Sequence, residues 1–175
     1  WSECGLDYMP HSPDRPVQHD ALRIQIRIAR ELGLPLVTHS READDDILRI
    51  LAEEHAGDVG GAWHYFGSSL DLAKRAMDLG FLISLAKPLL REEPLQQVAA
   101  QLPLDRLVIE TDSYPQPFKK NPLRRTEPWH LPQIAAKLAE LQGVDIEVVA
   151  ETTTRNYLRM LKGKVDADAL PLPVN

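Results

Sequence analysis

Four residues of metal-binding type recur where short apolar runs bring them: Glu3 in the opening segment, His39 and His64 on two such runs, and Asp112 just after Leu107-Val108-Ile109-Glu110-Thr111. Imidazole nitrogen and carboxylate oxygen together suit a divalent cation such as zinc, magnesium or manganese. Each residue alone has a plainer reading. A strand histidine is more often a hydrogen-bonded core or surface group than a ligand, and an aspartate after a strand commonly opens a turn. What raises the estimate is the conjunction, because a parallel fold gathers its strand ends on one face however far apart they lie in sequence.

The elements that would position these residues alternate regularly. Residues 1–6 read as a strand that contains Glu3, and the prolines at 10, 13 and 16 make a loop. Helical spacing of Leu22, Gln25, Ile26, Ala29 and Leu32 predicts a helix over 17–32, stopped by Gly33. Pro35 to Thr38 is a strand ending in His39-Ser40-Arg41, and 42–55 is a helix with an acidic first turn. Ala62 to Phe66 is a strand holding His64, and a helix ends at Gly80 after Ser68 and Asp71 at capping-box spacing. Phe81 to Leu85 is the next strand, Pro94 opens a helix to Leu102, and 106–110 is the fifth strand.

A proline-rich loop, 113–128, follows. Trp129 to Leu141 is a helix, Asp145 caps a short helix through Glu151, and Thr152 to Thr154 start another ending near Lys162. Residues 163–175 have no periodicity and read as a disordered tail. Five strands alternating with helices at about 30-residue intervals predict an α/β fold with a parallel sheet.

Length and charge narrow the functions. With 175 residues, 43% hydrophobic and 26% charged, the chain has the composition of one soluble globular domain. A net charge of −6 leaves no global basic field to hold a polyanion, so nucleic acid would need a local patch or a metal. One cysteine permits no intramolecular disulfide and fits a reducing compartment; a cytoplasmic location is expected, with no membrane partner. The local patch exists: Lys119, Lys120, Arg124 and Arg125 follow Asp112, interleaved with Tyr114, Phe118 and Trp129. Such a segment suits a single strand whose bases stack while its phosphates are neutralised.

Five ordered motifs also resemble the TatD-type metal-dependent hydrolases. They are Ser2-Glu3-Cys4-Gly5-Leu6-Asp7-Tyr8, Thr38-His39-Ser40-Arg41, Trp63-His64-Tyr65-Phe66-Gly67-Ser68, Glu110-Thr111-Asp112-Ser113 and Thr126-Glu127-Pro128. The resemblance implies a (β/α)8 TIM barrel of the metal-dependent hydrolase type, one or two divalent ions (Mg, Mn or Zn), and deoxyribonuclease activity on single-stranded DNA or 3′ ends. By the same resemblance Glu3 would bridge two metals, with His39 and His64 on one of them. Asp112 would bind the other and take a proton from the attacking water. Arg41, Tyr65, Tyr114, Lys119 and Lys120 are the substrate-binding candidates, with a surface salt bridge to Glu42 or Asp45 the alternative for Arg41.

The family's His-x-His pair and its first three strands have no counterpart here, so about five of eight strands are expected, within residues 1–162. The chain reads as the C-terminal part of one barrel, with open edges that a missing N-terminal segment or self-association would cover. Two other readings stay open. The same barrel and metals could act on a small ester, amide or phosphoester. A non-catalytic remnant or binding scaffold could lack the full metal site.

Overall fold

Among the described residues, five short strands lie side by side in chain order, every neighbouring pair parallel: β1 (Cys4–Asp7), β2 (Leu36–Arg41), β3 (Gly61–Trp63), β4 (Phe81–Leu85) and β5 (Leu107–Ile109). The structure, a computed structural model, describes residues 2–114 and 125–162. Parallel neighbours cannot be joined by tight hairpins, and helices make the crossings. These are α1 (Arg15–Leu32), α2 (Asp44–Glu53), α3 (Leu70–Asp78) and α4 (Glu93–Ala99), with α5 (Leu131–Gln142) and α6 (Ile146–Met160) after β5. Among the described residues the result is an arc of a (β/α)8-type barrel that does not close, with β1 and β5 at its edges.

Strand alternation gives the sheet two unlike faces. Cys4, Leu6, Leu36, Trp63, Phe81, Ile83, Leu85 and Leu107 point to the helices and join Leu22, Ile26, Ile47, Leu51 and Ile134 in the main core. The opposite face, a barrel's interior, carries a small apolar layer of Ala62, Leu82 and Val108. Because side chains alternate with period two, the next interior positions along the strands are His39, His64, Ser84 and Glu110. The interior therefore turns from apolar to polar towards the C-terminal ends.

Two glycines let the first three strands come together. Gly5 pairs with His39, and a Cβ there would stand 1.8 Å from the His39 carbonyl oxygen. At Gly61 the same construction meets the Leu36 carbonyl oxygen at 1.7 Å. Neither obstacle is a side chain that could swing away.

Several sequence expectations shift. Residues 146–160 form one helix, where two were expected. Thr153, buried mid-helix, returns its hydroxyl to the Val149 carbonyl at 2.9 Å, which lets a threonine run continue a helix instead of starting one. Ser69, not Ser68, caps α3 by accepting from the Leu72 amide. Leu32, expected inward, is 52% exposed because α1 ends there. The strands around residues 62–66 and 106–110 are shorter than expected, so His64 and Glu110 extend the ladder without belonging to it. Asn156 of α6 anchors the start of β5, donating to the carbonyls of Leu104 (2.9 Å) and Leu107 (2.7 Å). The tail from 163 and the residues 115–124 lie outside the described residues, as does Trp1.

Candidate metal centre

Glu3 was expected within the first strand, but it precedes β1 by one residue and carries φ 58°. A left-handed backbone is uncommon for a residue with a side chain. Asp112, three residues past β5, has φ 51°, and Tyr65, directly after His64, has φ 49°. Three such residues around one spot mean that the surrounding structure holds the backbone where local preference would not.

His39 comes from within β2 and His64 follows β3, its amide donating to the Thr38 carbonyl at 2.9 Å. The two rings lie 6.3 Å apart between centroids. His64 Nε2 is 3.2 Å from Glu3 Oε1, and His39 Nδ1 is 4.0 Å from Glu3 Oε2. Ligand atoms of Glu3, His39 and His64 all fall within 4.8 Å of one another. Asp112 stands outside that trio and reaches it through His64, its Oδ1 3.8 Å from Nε2.

Glu110 sits behind the imidazole. Its Oε2 is 2.8 Å from His64 Nδ1, and its Oε1 accepts the Tyr65 amide at 2.6 Å. An ionised carboxylate only accepts, so Nδ1 carries the proton and Nε2 is turned towards Glu3 and Asp112. His64 is only 8% exposed; burial disfavours its cationic form, but Glu110, Glu3 and Asp112 outweigh burial and raise its pKa above the ordinary histidine value. Nε2 thus faces two carboxylates across a gap that favours positive charge. The donor set of two imidazoles and a carboxylate, with a carboxylate orienting one imidazole from behind, fits a divalent cation. Glu110 is not among the site residues named from the sequence. Its position two residues before Asp112, directly after the C-terminal end of β5, was the signal that could have marked it.

The substrate candidates divide. Arg41, on the same side of β2 as His39, is exposed, and its Nη1 lies 4.0 Å from Asp7 Oδ2; neither Glu42 nor Asp45, the neighbours expected as partners, pairs with it. Asp45 instead bonds Arg75 of α3 at 2.8 Å. Tyr65 and Tyr114 are exposed. Burial raises the Tyr65 hydroxyl pKa, against the lowering influence of Arg91. Lys119 and Lys120, with Phe118 and Arg124 of the basic loop, lie outside the described residues. Among the described residues no helix is long and apolar enough to cross a membrane.

The chain is similar to proteins named metal-dependent hydrolases. A relative from Bacillus subtilis, the uncharacterized metal-dependent hydrolase YabD, is 35% identical over 91% of this chain and 64% of its own length. The uncharacterized metal-dependent hydrolase YcfH of Escherichia coli K12 is 37% identical over 96% of this chain and 63% of its own. Human deoxyribonuclease TATDN3 is 32% identical over 90% and 58%. The chain thus spans just under two thirds of the bacterial relatives it matches. The crystal structure of YJJV, a TatD homologue from E. coli, superposes with TM-score 0.82 at 27% identity, covering 91% of this chain and 62% of that one. The profile of the TatD related DNases matches residues 2–162, a span that contains every donor of the candidate centre. The chain belongs to the TatD related DNase family.

Proposed function

We propose that this protein is a metal-dependent hydrolase that cleaves phosphodiester bonds in DNA. The observation that carries the reading is the three-donor group of Glu3, His39 and His64, with Glu110 fixing His64 from behind. A divalent cation held by these residues would supply Lewis acidity to the phosphoryl oxygen and acidify water. The chain's own groups do the rest. Asp112, 41% exposed along its side chain and beside His64, is the base that takes the proton of the attacking water. Arg41 offers its guanidinium fork to a phosphate. The exposed rings of Tyr65 and Tyr114 give bases a surface to stack on, and Lys119 and Lys120 add charge against the backbone.

Single-stranded DNA or a 3′ end is the substrate this arrangement suits, since stacking needs bases already free of a duplex. The name of the human relative, deoxyribonuclease TATDN3, supports DNA as the substrate. The net charge of −6 favours a second reading, a small phosphoester in the same site. Turnover of 3′-labelled single-stranded DNA and of a small phosphodiester by the intact protein separates the two. Under the first reading His64→Ala removes metal-stimulated cleavage of DNA by at least a hundredfold, and removing Lys119 and Lys120 weakens DNA turnover alone. Full nuclease activity in the His64→Ala protein would sink the assignment.

A further inference from the structure

The first turn of α2 reads in sequence as a solvated acidic patch, Asp44-Asp45-Asp46, placed to favour the helix dipole. In three dimensions each aspartate reaches a different element. Asp45 bonds Arg75 of α3, and Asp46 accepts the Tyr8 hydroxyl at 2.6 Å in the loop after β1. Asp44 does something more specific. Its Oδ1 accepts the Ser40 hydroxyl at 2.5 Å, and its Oδ2 accepts the Ser68 hydroxyl. Ser40 adjoins His39 on β2. Ser68 closes the segment that begins at His64, whose other end Glu110 holds through the Tyr65 amide.

From this geometry we infer that Asp44 is a positioning residue for the metal centre: one carboxylate ties the segment carrying His39 to the segment carrying His64 and so sets the distance between the two imidazoles. The inference rests on the metal reading above. Hydroxyl-to-carboxylate bonds are short and charge-assisted, stronger than neutral ones, and all three residues are half-buried, out of full competition with water. Strand pairing alone leaves a gap here. The β2–β3 ladder ends at Thr38 opposite Trp63, with the His64 amide making one further bond, and the loop beyond relies on other ties. Metal ligands need placing to within about 0.5 Å, which a free loop does not supply.

The test is metal affinity in the intact protein, with cobalt(II) as the probe and its visible spectrum as the report on ligand geometry. Asp44→Ala should weaken cobalt binding about tenfold, the lower end of what loss of a supporting group costs, and should change the ligand-field bands. Ser40→Ala with Ser68→Ala should reproduce that loss, and Asp44→Ala added to the pair should cost nothing further, since all three act as one unit. Asp44→Asn, which keeps one acceptor oxygen, should recover part of the affinity. A purely structural role would lower the melting temperature and leave the cobalt spectrum of the folded protein unchanged. That result, with His64→Ala abolishing binding, overturns the clamp alone. Cobalt retained at full affinity in the His64→Ala protein overturns the metal reading and the clamp with it.

Discussion

Replacing Glu110 by glutamine tests the chemistry of the centre more sharply than removing a ligand. Both Glu110 oxygens are acceptors: Oε2 faces His64 Nδ1 at 2.8 Å and Oε1 faces the Tyr65 amide at 2.6 Å. A glutamine keeps the shape but turns one of these oxygens into an NH2 donor. If the NH2 faces Tyr65, two donors oppose each other and the loop at φ 49° loses its hold. If it faces His64, the ring must present an acceptor at Nδ1, which moves the proton to Nε2 and removes the lone pair a metal needs. Either orientation costs the centre. Hydrogen bonds to a charged group contribute about 1.5–3 kcal/mol. Outer partners of metal-bound histidines are worth about 10- to 100-fold in affinity, or roughly 1.4–2.8 kcal/mol. The two scales agree, so metal affinity in Glu110→Gln should fall by one to two orders of magnitude. Competition against a chromophoric chelator measures it, with circular dichroism to show that the fold persists. Affinity within twofold of the parent protein would refute the assignment of Glu110 as the group that sets the His64 tautomer.

Two further outcomes follow from packing and charge. Gly5→Ala would drive a Cβ to 1.8 Å from the His39 carbonyl, so β1 and β2 must separate, at on the order of 4 kcal/mol or more. Gly67→Ala, where a Cβ meets nothing within 4 Å and the backbone is not left-handed, should stay within about 0.5 kcal/mol; thermal melts of the two variants side by side check the contrast. Glu54, buried between α1 and α2, is held at a pKa of about 2 against its ordinary 4.5, chiefly by hydrogen bonds from Arg27 and then Arg23. A lowered carboxylate pKa stabilises the fold fully above the unfolded value, and the stabilisation drains away as pH falls from 4.5 towards 2. The exposure of Arg27 screens the pair and brings the effect to about 1–2 kcal/mol. In urea unfolding, the stability gap between the parent protein and Glu54→Gln should be full at pH 6 and shrink below pH 4. A gap that does not change with pH would contradict the ion pair as its cause.

Much of the fold was legible because its causes are local. Apolar runs of strand length, helical spacing and glycine stops depend on neighbours a few residues away, and they located all five strands and the order of the helices. Where the local signal was ambiguous it failed. Thr152-Thr153-Thr154 looked like a helix start, since threonine favours caps; Thr153 is instead buried mid-helix with its hydroxyl returned to Val149, a choice made by packing against β5.

The residue types of the candidate centre were likewise readable, as were their places near strand ends. Their distances were not. That His64 meets Glu3 at 3.2 Å while Asp112 stays at 3.8 Å depends on strand stagger and on left-handed backbone at Glu3 and Asp112, which no local pattern announces. The roles of Glu110 and Asp44 emerged only from contacts across 46 and 24 positions of chain. By itself the sequence determined which chemistry was available and which elements would carry it, because composition and periodicity are short-range properties. Tertiary structure alone decided which nitrogen of His64 faces Glu3 and Asp112 and what holds the two histidine segments at one separation, because those depend on contacts between residues that only folding brings together.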